Sequence, residues 1–209
     1  MNTNKKGKDN QPILMLVLFG VISLVGCNNQ PENKTVAAEF DKIDSLRATF
    51  LTIEDSLVHT WNVMINDDNK KIKSLKRLVE EVIYAGGVDS TITQGFLSRL
   101  KQLKSERYSC KTMSSSDLID SYDSISNALV NEIIALATSH EEFERNIVMN
   151  ELIDEIGEAE GKILFFRIDY DDVAKMHNQF IEQNQAYMKD IDSKNDLKKI
   201  PIFELPPDQ

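Results

Sequence analysis

Three histidines, two cysteines and a run of aspartates are the side chains of this 209-residue chain that could bind a metal or react. His59, His140 and His177 each stand without a second His or a Cys within five residues, so metal-site spacing is missing. His177 falls on an apolar helical stripe, where an imidazole reads as a satisfied core group. Asp169, Asp171 and Asp172 flank Tyr170 in helical register, where backbone carbonyls are already bonded. They are expected on a solvated acidic face rather than around calcium. Ser114-Ser115-Ser116 lacks the flanking glycines of a nucleophile elbow. Neither a P-loop nor a dinucleotide-binding glycine pattern is present. Nothing pairs a nucleophile with a base. Glu160 and Arg167 remain, one heptad apart beside the last helix's apolar seam. Charges there either pair with neighbouring helices and fix their register or face a partner. The structural role is the expected one, and Arg167 is also in reach of Asp171 at i+4. The reading calls for no catalytic residue, metal or cofactor.

The elements that must position these residues read as helices. From Val36 apolar residues recur at helical spacing: Val36, Phe40, Ile43, Phe50, Leu57, Trp61, Met64, Ile72, Leu75, Val79 and Val82. Asn66-Asp67-Asp68-Asn69 is the weak point, a kink or an exposed turn. Gly86-Gly87 ends the helix, since glycine tolerates the left-handed cap conformation. Thr91 and Gln94 form a capping box for a short helix with Ile92, Phe96, Leu100 and Leu103 on one face. Tyr108 to Ser116 reads as a loop. A third helix opens near Ser116, with Leu118, Tyr122, Ile125, Leu129, Ile133 and Leu136 as its stripe. Ser139 and Glu142 form a second capping box, ahead of a helix over roughly 141–187. Its seam is Met149, Leu152, Ile156, Ala159, Ile163, Phe166, Tyr170, Val173, His177 and Phe180, at strict 3–4 intervals. Pro201, Pro206 and Pro207 bar a helical end, and Ile200 to Leu205 is an extended tail fit to lie against a helix. The expected fold class is all-α, an antiparallel bundle of three to four helices whose first and last are long.

The start of the chain is different in kind. Lys5, Lys6 and Lys8 precede an apolar stretch from Ile13 to Val25. That is short of the roughly 20 residues of a membrane span and suits a secretory signal. It ends in Leu24-Val25-Gly26-Cys27, which resembles the lipobox of bacterial lipoproteins. The resemblance implies that Leu24, Val25 and Gly26 are read by the signal peptidase and that the Cys27 thiol takes the lipid. Residues 1–26 are then the signal, 27–35 a tether, 36–192 the helical domain and 193–209 the tail. Lys-rich flanks stay in the cytoplasm, which places the rest outside. The chain carries −10 overall; residues 1–26 hold three Lys and one Asp, leaving −12 on the rest. That balance argues against nucleic acid and against an anionic lipid surface. With Cys27 lipidated, Cys110 is the one thiol left, so no internal disulfide forms.

The mature chain from about Leu57 to Glu204 resembles LemA-type proteins, helical membrane-anchored proteins of bacteria. Trp61, followed by Leu78-Val79-Glu80-Glu81-Val82, is similar to the family's Ala-Trp and Leu-Val-Glu-Thr-Val elements at matching spacing. Glu151 to Ile156 resembles its Leu-Gln-Glu-Glu-Leu segment. Glu160, Ile163, Arg167, Tyr170 and Asn178 fall on its later elements without a gap, and Pro201 with Phe203-Glu204 resembles its terminal Pro-x-Phe-Glu. Lys73 to Arg77 replaces Asp-Leu-Ile-Pro-Asn, His140 to Phe143 replaces Tyr-Pro-Asp-Leu, and Gly161 and Asp171 replace Asn. The resemblance implies a helical bundle at the envelope and no established reaction. The expectation is a non-enzymatic, lipid-tethered scaffold, most simply on the periplasmic face of the outer membrane, since Asn28 is not an Asp-type retention signal. Its partner would be another envelope protein or a second copy. The alternative is a periplasmic carrier holding a small molecule or lipid between helices. Glu160, Arg167 and Tyr170 are the candidate structural or partner-binding residues.

Overall fold

The first helix runs without a break because nothing in it forbids helix: residues 32–85 contain neither Gly nor Pro. In the computed structural model, which describes residues 32–194 and 198–203 with side chains from Glu39, α1 spans Glu32–Ala85. At 1.5 Å per residue it is about 80 Å long. It begins inside the stretch read as tether. The signal segment, Leu24 to Cys27, the Val36 side chain and the chain from Glu204 onward lie outside the described residues.

Asn66 to Asn69 do not make an exposed turn: α1 is continuous there and Asp68 is buried. Gly86 and Gly87 end the helix with φ of 82° and 76°. His140 holds that end. Its Nδ1 accepts from the Glu142 amide at 3.1 Å, so Nε2 donates to the Gly86 carbonyl at 2.7 Å.

Two expected capping boxes give way to other caps. Helix α2, Ser90–Glu106, is capped by Asp89, whose carboxylate accepts from the Thr91 amide. Ile92 faces out and Thr93 faces in, its hydroxyl donating to the Ser90 carbonyl and so tolerating burial. Helix α3, Ser116–Thr138, ends where Ser139 donates its amide back to Ala135, and a 3-10 turn, Phe143–Arg145, follows. Asn146 then caps α4, Ile147–Gln183, accepting from the Met149 amide at 3.0 Å. The α3 stripe is rotated from expectation. Leu118 and Ile125 are exposed, while Ile119, Ser126 and Val130 are buried. Ser126 turns inward because it accepts from Lys71 of α1 at 3.2 Å. Phe40 is also exposed.

The α4 seam faces inward at all ten positions, with Ala159, Ile163, Phe166 and Val173 half-buried and the rest buried. Asn184 stops α4 by bonding back to the Phe180 carbonyl, and the one-turn α5, Met188–Ile191, completes five α-helices among the described residues. This is one more than the expected three to four, and the long helices are the first and fourth. Partners along α1 and α4 come in reverse order: Ser74 with Glu155, Lys71 with Glu160, Trp61 with Tyr170, Phe50 with Phe180.

Two apolar clusters result. The larger is built by α1 to α4 and includes Leu75, Leu78, Leu129, Ile133, Leu152 and Ile156. The smaller holds Phe50, Ile53, Phe180, Ile181, Met188 and Ile191. The tail lies along α4. Asn178 both donates to and accepts from the backbone of Ile200, at 2.8 and 2.7 Å, and Phe203 is buried. Among the described residues there is no strand, and no helix is long and apolar enough to cross a membrane.

Candidate functional site

Glu160 and Arg167 are each paired to another helix, and not to each other. Glu160 accepts from Lys71 of α1 at 2.6 Å. Arg167 holds Asp123 of α3 through both terminal nitrogens at 2.8 Å, and Nη2 also donates to the Tyr108 hydroxyl at 3.1 Å. The anticipated bond from Arg167 to Asp171 is not made, because the guanidinium turns toward α3. Its Nε is buried without a partner. Burial works against the Arg167 charge, but the Asp123 bonds and Tyr108 outweigh it and hold the group above its ordinary pKa. The guanidinium also lies 5.1 Å from the Phe203 ring, within cation–π range.

The network extends through residues the sequence reading did not single out. Asp68 is its centre, taking Arg107 at 2.6 Å, the Tyr122 hydroxyl at 2.6 Å and Lys71 at 3.4 Å. Burial, and the Asp68 charge beside it, push the Tyr122 pKa up, so the phenol stays protonated and donates. Three cations (Lys71, Arg107, Arg167) meet three carboxylates (Asp68, Asp123, Glu160). A signal for two of them was present. Met64, Asp68, Lys71, Leu75, Leu78 and Val82 keep the 3–4 rhythm of a seam, so Asp68 and Lys71 occupy core positions. Tyr108 and Met113 carried no such signal. They are buried from an irregular stretch.

Tyr170 is the hub of an aromatic cluster rather than a surface residue. Its ring meets Trp61 at 5.4 Å and Phe203 at 5.7 Å, both edge-on. Tyr108 joins through Trp61, Tyr122 and Phe203. Asp171 departs from the expected solvated face. It is 2% exposed and accepts from the Phe203 amide at 2.8 Å, which is why a charge-bearing residue is drawn inward. Burial raises its pKa; the Phe203 bond opposes that. Asp169 and Asp172 are exposed as expected.

Trp61, Cys110, Tyr170, His177 and Ile200 line an open cavity of about 580 Å³. His177 is buried against Phe50, its rings 5.5 Å apart, and burial lowers its pKa. It is a core group as expected, with Asn178 as a side-chain partner, but only partly satisfied, because its Nδ1 has no partner. Cys110 is exposed. His59 is exposed. A second cavity of about 340 Å³ opens beside Arg167 and Asp123. A groove of about 520 Å³ runs between α1 and α2, floored by Ile72, Leu97 and Leu100 and flanked by Lys73 and Lys76 on one wall, Lys101 and Lys104 on the other. Among the described residues no cluster of His, Cys, Asp and Glu is arranged to hold a metal ion.

Among the described residues these features define an all-helical protein tied internally by buried and partly buried charge pairs. No protein-family model matches the chain, and neither a curated protein nor a solved structure does.

Proposed function

We propose that this chain is a non-enzymatic, lipid-tethered scaffold of the bacterial envelope, an antiparallel helical bundle that seats an acidic amphipathic helix of a partner between α1 and α2. The observation that carries the reading is the groove itself. Two lysines stand on each wall above an apolar floor, in a chain whose net charge is −10; Lys76 pairs with Glu80 at 3.1 Å, an exposed pair that a partner carboxylate can displace at little cost. A helix with an apolar stripe flanked by Asp and Glu fits such a groove, its stripe on the floor and its carboxylates against the walls. The reversed order of contacts between α1 and α4 supports the antiparallel arrangement.

The anchor rests on Leu24-Val25-Gly26-Cys27 and the LemA likeness on the sequence elements quoted above. Trp61, Arg167, Tyr170 and Phe203, four residues of that likeness, gather around one aromatic cluster. Anchoring is tested by mass spectrometry of the membrane-extracted protein. An acylated N-terminus at Cys27 is expected, and Cys27→Ala should leave the precursor unprocessed. The groove is tested with a photocrosslinker at Lys101 in living cells. Capture should fall on an acidic helix and be lost in Lys73→Glu/Lys104→Glu. Capture indifferent to that charge reversal would refute the reading. One observation favours the second reading, a carrier: the open cavity at Tyr170 and His177.

A further inference from the structure

We propose that the cavity walled by Trp61, Tyr170 and His177 is a binding site for a neutral, largely apolar molecule bearing one hydroxyl or carbonyl group. The proposal deepens the carrier reading; the scaffold reading does not depend on it.

The cavity has the dimensions and lining of a ligand site. Its volume of about 580 Å³ lies inside the roughly 300–1,000 Å³ typical of small-molecule pockets. Leu57, Val58, Ile200 and Pro201 supply apolar wall, and the Trp61 ring supplies an aromatic face. Val58 is 60% exposed although it is apolar, so the mouth leaves hydrophobic surface open to water. The tail closes one side and is not loosely laid there, because Asn178 fixes Ile200 through two hydrogen bonds.

The polar groups are few, as ligand specificity requires. His177 is 4% exposed and its Nδ1 is buried with no hydrogen-bond partner. Buried polar atoms are almost always bonded, and this orphan, on a residue of the cavity wall, is open to a ligand's polar group once the ring turns it toward the cavity. Tyr170 and Cys110 bring a hydroxyl and a thiol to the same wall.

Charge decides the class of molecule. Burial lowers the His177 pKa and so favours the uncharged ring. Neither lysine at the rim is free: Lys199 pairs with Glu182 at 2.6 Å, and Lys198 is engaged as well. A carboxylate entering here would give up its water without gaining an uncommitted cation, which is costly. A hydroxyl or carbonyl loses far less, and the imidazole can either donate to it or accept from it.

Trp61 is the chain's one tryptophan, which makes its emission a readout of this cavity. The probes are 1-decanol, decanoate and decane, titrated into the full chain. Decanol should change Trp61 emission saturably and slow the alkylation of Cys110 by iodoacetamide several-fold. His177→Phe keeps the ring and removes its nitrogens. It should weaken decanol by about tenfold and leave decane nearly unchanged. Val58→Phe, at the exposed mouth, should block binding without lowering the thermal midpoint. Three results would overturn the site: no saturable change with decanol, tighter binding of decanoate than of decanol, or undiminished decanol binding by a folded Val58→Phe protein. Should decanol bind as expected while the protein fails to move alcohol between vesicles, the site stands and the carrier reading alone falls.

Discussion

The two apolar clusters are built on the same pair of long helices but differ in what surrounds them. The larger is enclosed by α1, α2, α3, α4 and the buried Phe203 of the tail, and the charge network of Asp68, Lys71, Arg107 and Glu160 ties its helices together. The smaller is enclosed by two helices and the single turn of α5. Its polar ties are exposed or half-exposed: Arg47 to the carbonyls of Asp190 and Ile191, and Lys42 to the Tyr187 hydroxyl. Stability within one protein follows such differences, because local opening costs only the contacts that are broken. The large cluster should therefore set the global midpoint, and the small one should open first.

The strongest challenge to that contrast is Asp68→Ala. It leaves Lys71, Arg107 and the Tyr122 hydroxyl without their shared acceptor. Removing one partner of a buried pair costs roughly 3–5 kcal/mol, and chemical denaturation should show a loss of that order. Next come matched truncations in the two clusters. Ile133 is fully buried in the large one, and Ile133→Ala should cost about 2–5 kcal/mol of global stability. Ile191→Ala should instead speed hydrogen exchange around Phe180 and Ile191, with a smaller shift of the global midpoint. Equal shifts from both variants would dissolve the distinction.

A smaller effect belongs to Asp171. Burial raises its folded-state pKa above the unfolded one, so the folded form binds the proton more tightly. Between those two values stability falls as pH rises. Asp171→Asn keeps an oxygen for the Phe203 amide and removes the charge. It should change stability at pH 7 by no more than about 1 kcal/mol, in the stabilising direction, and flatten this part of the pH profile. The smallest effect is that of Lys162→Ala. Its pair with Glu158 is exposed on both sides and contributes about 0–1 kcal/mol.

How much of this was legible depends on which physical signal each residue carried. The α4 seam could be read because its 3–4 spacing persists over ten positions, and every one faces inward. The α1 stripe was readable until polar residues entered it. Asp68 and Lys71 kept the rhythm, but their side chains suggested solvent, since only their partners on α3 and α4 and near the end of α2 make burial tolerable. The α3 face was misjudged by one residue for a related reason: Ser126 is inside because Lys71 is. Two helix starts were misplaced: Asp89 and Asn146 took the cap positions expected for Thr91 and Ser139. The buried Tyr108 and the cavity at His177 depend on chain segments far apart in sequence, and no local pattern announces such a meeting. The interhelical pairing of Glu160 and Arg167 could be anticipated from their positions beside the seam; the identities of Lys71 and Asp123 could not.

The central claim is that the buried charges hold the bundle together while the lysine groove meets the partner. Arg167→Met, made in the chain carrying the crosslinker at Lys101, tests both halves at once. Asp123 is partly exposed, so the loss of stability should fall between the roughly 0–1 kcal/mol of an exposed pair and the roughly 3–5 kcal/mol of a buried one. Partner capture, measured well below the variant's midpoint, should stay at the wild-type level. An unchanged midpoint together with lost capture would contradict the account and make Arg167, beside its 340 Å³ cavity, the recognition residue instead.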